Sequence, residues 1–497
     1  MGKVRGPGGR ISAPRGRMSG EATALQEQEG ADPRRWKALT VCLVAGFMTL
    51  LDVSIVNVAL PAIRAGLNAP QSDLQWVVSG YALTFGLALI PAGRFGDMHG
   101  RRNVFVLGVV LFTLSSAAAG MAGDPTLLVI ARLIQGMAGG VLNPQVSGLI
   151  QQLFRGAERG RAFGMLGTVI GVSTAIGPLL GGALIQLGGG PDAWRLVFYV
   201  NVPIGILAVL LAYRYIRPSA RGGRPRESMD PVGVLLLALG VVLLLLPFVE
   251  GRQWQGAGRW PTLFTGLVVL AAFVAWERRY GRHHQPVVDL FLFRRRSYAL
   301  GALLGTLYFA GFTAIFFILT LYLQNGLGYS ALEAGLATTP FAAGSAVAAA
   351  LGGRIVTRLG RALVVAGLLL VAAALGVTEL AVRLVPGEHV AWAIALPLLL
   401  AGLGSGLVIS PNQTLTLSEV PVAMAGTAGG VLQTGQRIGT AVGIAAIGSV
   451  FFAEVTSSHG DYATAFRHSL LVAIAFVLVS LVVAVIDVVT ARRAGRR

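Results

Sequence analysis

The sequence predicts an all-α membrane protein: two six-helix bundles with two helices inserted between them, fourteen transmembrane helices in all. Three observations carry this expectation. Of the 497 residues, 54% are hydrophobic and only 12% charged, and mean hydropathy is +0.70, whereas an average soluble chain is about one-quarter charged. Apolar runs of about 17 to 25 residues, the length that spans a bilayer as a helix, begin near residues 38, 74, 103, 126, 163, 196, 232, 261, 299, 332, 363, 391, 424 and 469. Two intervening turns carry related strings, GRFGDMHGRR at 93–102 and GRIVTRLGR at 353–361.

The first 37 residues are rich in Gly, Pro and Arg and hold both acids and bases, the composition of a disordered basic tail. They do not read as a signal peptide, because the apolar run after them exceeds 20 residues and lacks a small-residue cleavage site. Residues 38–216 form the first bundle, 217–297 hold inserted spans seven and eight with their loops, 298–490 form the second bundle, and 491–497 are a second tail. Parallel halves of this kind bind substrate between the repeats near the bilayer midplane. Spans seven and eight contain no deep charge, so they are expected to lie outside the transport core.

An even number of spans puts both termini on one side. With a cytosolic N-terminus, about 32 of the 40 Lys and Arg fall in cytosolic segments such as RGAERGR, RYIRPSARGGRPR and ARRAGRR, and about six outside. The expectation is a multi-pass protein of the cytoplasmic (inner) membrane with both termini cytosolic. The net charge of +18 is scattered through these loops, with no patch on a folded domain to serve a nucleic acid. Cys42, the single cysteine, has no intrachain partner for a disulfide. There is no phosphate-cradling Gly-rich loop with Lys, hence no ATPase engine, and no Cys or His cluster with metal spacing. No cofactor is expected.

Five strings, LLDVSIVNVALP, GRFGDMHGRR, RLIQGMAGG, GVSTAIGPLLGG and WRLVFYVNVPIG, occur in this order along the chain. The set resembles the major facilitator superfamily in its fourteen-helix drug:proton antiporter branch, over nearly the whole chain after residue 37. The resemblance implies the major facilitator fold and export of small molecules, hydrophobic or cationic, driven by proton entry, in a monomer. It leaves open a dedicated exporter of one metabolite or self-made antibiotic, and a lipid-handling transporter of the same fold. Two positions depart from the pattern: Ser54 stands where the family usually has threonine, and Thr357 where the first string has Asp97. Basic residues are almost all Arg, with lysine only at Lys3 and Lys37, a hint of a GC-rich bacterial genome.

Three charges read as deep within spans: Asp52, Arg132 and Arg437. An unpaired carboxylate there costs at least roughly 2.5 to 3.5 kcal/mol on insertion scales. Counted from the outer ends of their spans, Asp52 lies about 12 Å and Arg132 about 9 Å deep at 1.5 Å per residue. At matched depth they can neutralise each other as a static pair, or Asp52 can trade Arg132 for a proton. The resemblance assigns them to proton coupling. It also makes GRFGDMHGRR a cytosolic gate of Gly93, Arg94, Asp97, Gly100 and Arg101. A carboxylate in that loop can cap another helix N-terminus, such as that of helix 13 near Ala425. In span five, Gly171, Gly177, Pro178 and Gly181 resemble the antiporter signature, read as a rocking contact between halves. Candidate substrate contacts are Tyr81, Phe309 and Phe312, which with Phe316 offer stacking surface or plain packing, and Gln433 and Arg437 in span thirteen.

Overall fold

The computed structural model describes residues 2, 33–218, 230–249, 259–387 and 389–494. Residues 1, 3–32, 219–229, 250–258, 388 and 495–497, which include most of the expected basic tail, lie outside them. The described residues are helical with no strand. Fourteen principal helices follow one another: α1 (Arg35–Leu67), α2 (Gln71–His99), α3 (Arg101–Gly120), α4 (Pro125–Leu153), α5 (Gly156–Gly188), α6 (Asn201–Tyr215), α7 (Pro231–Val249), α8 (Arg259–Tyr280), α9 (Arg296–Leu321), α10 (Ala331–Leu359), α11 (Arg361–Leu384), α12 (Val390–Thr416), α13 (Ala425–Ser457) and α14 (Tyr462–Ala494). Thirteen are long and apolar enough to cross a membrane, α6 being so only together with the helical turns before it from Ala193, and α7 is a shorter apolar helix. The face at which the odd-numbered helices begin is termed the inner face.

Local signals set the helix ends. Asp124 accepts a hydrogen bond from Leu127 N with Pro125 at the first helical position, and Ser330 with Glu333 forms a reciprocal capping box at the start of α10. Gly100 joins α2 to α3 at φ +95°, a backbone that favours glycine. One apolar core lies within α9–α14 and another within α1–α6 toward the outer face, while a third, built mainly from α1–α6, also takes in Tyr298 of α9 and Ala428 and Leu432 of α13.

The halves meet along two seams. Toward the inner face α2 approaches α13 so closely that a methyl on Gly93 would overlap the Gly426 carbonyl. On the other side α5 lies along α10, where a methyl on Gly160 would stand 2.6 Å from Gly353 O and one on Gly171 3.0 Å from Ala342 O. Small residues allow this backbone-to-backbone packing in lipid, where shape fit replaces the hydrophobic effect.

The inserted helices pack on each other, and α7 also rests on both α2 and α13. Leu237, Val241 and Leu245 of α7 are buried with Leu83 and Ile90 of α2, and Val431 and Ile438 of α13 join them. The sequence reading of the inserted pair misses one feature: Asp230 immediately before α7 and Glu277 near the end of α8 are each 2% exposed. Both lie at helix ends, where a sequence reading assigns solvent, and tertiary packing covers them.

The depth argument is also corrected. α1 continues through Pro61 to Leu67, which puts Asp52 about 22 Å from its outer end, while Arg132 is about 10 Å into α4. The two residues still meet, because the outer part of α1 projects further, under the connection that carries Trp194. A methyl on Gly66 would touch Trp194 Nε1 at 2.5 Å.

Candidate functional site

Asp52 is fully buried and its carboxylate is held entirely by residues of the first six helices. Arg132 Nη1 donates to Asp52 Oδ2 at 2.6 Å. Gln135 Nε2 and Asn201 Nδ2 donate to Oδ1 at 2.9 and 3.0 Å. Arg132 is fixed in turn: Nε donates to the Val77 carbonyl at 3.1 Å, Nη1 also to Gln135 Oε1 at 2.8 Å, and the guanidinium lies 4.2 Å from the Tyr81 ring centroid. Asn201 Nδ2 also donates to Ser116 Oγ at 3.1 Å. Such a pair is costly to break by removing one partner, about 3 to 5 kcal/mol.

The sequence reading does not single out Gln135 and Asn201, although a signal exists. Each is a polar residue inside a quoted apolar string, RLIQGMAGG and WRLVFYVNVPIG, and Gln135 shares a helix face with Arg132 at a spacing of three.

The repeated string at the inner face forms a second cluster. Asp97, near the end of α2, accepts from Gly426 N at 3.0 Å through Oδ1, and from Thr427 N and Oγ1 at 2.8 and 2.9 Å through Oδ2. Its carboxylate therefore sits on the first turn of α13, where the dipole favours negative charge. Arg101 braces it from α3 with Nη2 at 2.7 Å, and reaches Gln152 Oε1 at 3.0 Å and the Val422 carbonyl. Arg94 points elsewhere, donating to Gln285 Oε1 at 2.7 Å in the connection between α8 and α9. In the second string Arg361 is held inside its own half by Asp487 at 2.6 Å and Asn412 Oδ1 at 2.5 Å. Asp487 in α14 supplies the carboxylate that Thr357 lacks.

The glycines of α5 divide between two partners. Gly171 faces α10 across the seam, with Gly160, Gly164 and Gly167, whereas Gly177 and Gly181 face Ser54 and Ile55 of α1 in the same half. Pro178 lies against Gly335 of α10.

Between the halves, Ser147 Oγ of α4 accepts from Gln433 Nε2 of α13 at 3.2 Å and Gln413 Nε2 of α12 at 3.4 Å. Arg437 lies 4.4 Å from the Phe85 ring centroid, has Tyr81 as an electrostatic neighbour, and makes no hydrogen bond or ion pair among the described residues. Tyr81 is buried beside Arg132, so its ring serves the Asp52 cluster. Phe312 and Phe316, with Phe341, line a narrow cavity of about 30 Å³ bordered by Gly171, Thr174 and Ser345. Phe309 is outside that lining and packs edge-on to Phe312 with centroids 5.5 Å apart. No group of metal-ligating side chains occurs among the described residues.

A buried carboxylate inside one of two helical halves, and a helix-capping contact between the halves, suit a membrane transporter, and similarity to known proteins gives that class. The Major Facilitator Superfamily model matches residues 42–444, and the chain belongs to that family. It is 35% identical over 473 residues to the probable actinorhodin transporter of Streptomyces coelicolor, covering 91% of this chain and 81% of that protein. It is 34% identical to the tetracenomycin C resistance and export protein of Streptomyces glaucescens, with 86% and 78% covered. It is 35% identical to the multidrug resistance protein Stp of Mycobacterium tuberculosis, with 83% and 75% covered. Among solved structures it is similar in fold to the human organic anion transporter MFSD10 (TM-score 0.66, 16% identity, 90% of this chain and 100% of that one). It is likewise similar to the proton:xylose symporter XylE (TM-score 0.63, 16% identity, 90% and 95%).

Proposed function

We propose that this chain is a proton-coupled antiporter that exports antibiotics or drugs across the cytoplasmic membrane, with both termini cytosolic and the inner face toward the cytosol. The observation that carries the reading is Asp52, an ionisable group buried mid-span whose partners all lie in one half. The units 38–216 and 298–490 rock about the α5–α10 seam. With the inner face shut by Asp97 on α13, Asp52 takes a proton from outside, and Arg132 loses its counter-charge and shifts toward Gln135 and Tyr81. Entry of one proton down 100 mV supplies about 2.3 kcal/mol before any pH gradient is counted. One chain contains both halves of the path, so a monomer suffices.

The similarity to a probable actinorhodin transporter and to a tetracenomycin C resistance and export protein supports export of an antibiotic. Arg437, a mid-span guanidinium that makes no ion pair or hydrogen bond among the described residues, suits a ligand that presents an acceptor or an acid to it. The same similarities favour, as a second reading, an exporter dedicated to one self-made antibiotic. A resistance profile of expressing cells against cationic, neutral and anionic compounds tests both. Protection against many classes supports the general exporter, protection against one scaffold supports the dedicated one, and no protection against any compound contradicts both.

A further inference from the structure

We infer that Asp230 and Glu277, at the inner base of the inserted helix pair, form a second proton-binding site, which holds the inner gate shut while it is protonated. Both carboxylates are buried. Asp230 Oδ1 accepts from Val232 N at 3.1 Å and Gly233 N at 3.0 Å, and Oδ2 from Trp276 Nε1 at 2.7 Å. Glu277 Oε2 accepts from Val288 N at 3.2 Å, while its buried Oε1 has no hydrogen-bond partner. A methyl built on Gly233 would stand 2.5 Å from Glu277 Oε1 and 2.6 Å from Asp230 Oδ2. The two oxygens thus border one gap that only a glycine leaves open.

The charged and titratable groups around Glu277 are Asp230 from α7 and Arg94 from α2. On its own element's continuation they are Tyr280 and His284, stacked with centroids 4.7 Å apart. Two carboxylates sharing a buried gap favour one being neutral. Asp230 accepts from three N–H donors, whereas Glu277 Oε1 has none, so the proton is placed on Glu277 Oε1.

The consequence passes to the gate through the connection between α8 and α9. Glu277 holds Val288 N, Gln285 holds Arg94 of the gate string, and Val287 and Val288 are buried with Ile90 of α2. The segment that pins Arg94 is therefore itself pinned by Glu277. Loss of the proton places a second negative charge in the gap, draws in water, and frees α2 to leave α13. The linkage has a definite sign. The proton binds the closed, buried arrangement better than the open, hydrated one, so rising pH depopulates the closed inner face.

This inference rests on the inner-gate part of the proposed function, and its test is independent of Asp52. Full-length protein carrying Asp52→Asn, with spin labels on α2 and α13 at the inner face, is placed in lipid nanodiscs. Distances are then measured by pulsed EPR from about pH 5 to pH 9, which spans ordinary and shifted carboxyl titration. The closed fraction should fall several-fold as pH rises. Adding Glu277→Gln, neutral at every pH, should keep the inner face closed and flatten the profile. Gly233→Ala, which intrudes between the carboxylates, should move the transition and serves if the Gln variant is not recovered. A Glu277→Gln profile that follows its parent, an unmoved Gly233→Ala profile, or a parent without any transition overturns the proposal. Loss of uphill transport in Asp52→Asn bears only on the main coupling site.

Discussion

The hydroxyl of Ser54 on α1 donates to the backbone carbonyl of Thr174 on α5 at 3.4 Å. Pro178, four residues further on, has no N–H, so this carbonyl is the one left without its helical donor. Gly177 makes the room, since a methyl there would overlap Ser54 Oγ. The Gly-Pro pair of α5 is thereby joined to the helix that carries Asp52, two residues before Ser54, while Pro178 itself lies against Gly335 of the other half. Under the proposed rocking, movement of α5 against α10 would be transmitted to α1 through these contacts.

Substitution at this junction should separate packing from hydrogen bonding. Ser54→Ala forfeits one weak bond, about 0.5 to 1.5 kcal/mol, and should lower the unfolding temperature slightly with transport reduced by less than tenfold. Gly177→Ala forces α1 away at an overpacking cost of about 1 to 3 kcal/mol, and should reduce transport far more than Ser54→Ala. Equal effects of the two in a vesicle transport assay would contradict the junction.

Asp97→Asn keeps the shape of the gate but removes the charge on the first turn of α13, worth about 0.3 to 1 kcal/mol, together with the charge assistance from Arg101. Transport should fall while substrate affinity stays within a few fold. Distance measurements across the inner mouth should show a larger open population. Unchanged open and closed populations would mean that the contact does not hold the gate.

Much of this was legible in the sequence. Hydropathy and loop charge placed fourteen spans with starts close to those observed, because a helix in lipid must satisfy its own backbone and be apolar along its length. Asp52, Arg132 and Asp97 stood out because a charge in an apolar or basic context needs a reason. The partners that complete their sites did not. Gln135 and Asn201 are neutral, and hydropathy tolerates one amide per span. Asp230, Glu277, Arg361 and Asp487 sit at helix ends, where a sequence gives no way to tell a solvated charge from a covered one. The division of the α5 glycines between α1 and α10 depends on rotation about the helix axis, which three-dimensional packing decides.

Arg437 should govern which ligands the path accepts. Arg437→Gln removes a guanidinium that no carboxylate among the described residues neutralises, so protection against anionic or phenolic compounds should drop by tenfold or more and protection against neutral ones much less. Parallel resistance titrations of wild type and variant check this. Equal losses for neutral and anionic compounds would make Arg437 structural.

Arg132 should not tolerate lysine. Its planar fork reaches Asp52, Gln135 and the Val77 carbonyl at once, and an ammonium cannot reproduce that geometry. Arg132→Lys should fold, yet lose most uphill transport. Wild-type accumulation in energised vesicles would show that charge alone suffices.

The central claim is that Asp52 is the group on which proton and transport meet. Its most direct measurement is substrate-induced proton release from purified protein in weak buffer, wild type against Asp52→Asn. The side-chain amide preserves size and hydrogen bonding but cannot carry the proton. The account predicts a stoichiometric proton signal from wild type and none from Asp52→Asn, with proton-driven accumulation abolished in vesicles under an imposed pH gradient. Retention of both the proton signal and the accumulation by Asp52→Asn would contradict it, leaving Asp52 and Arg132 as a static pair that fixes α1 against α4.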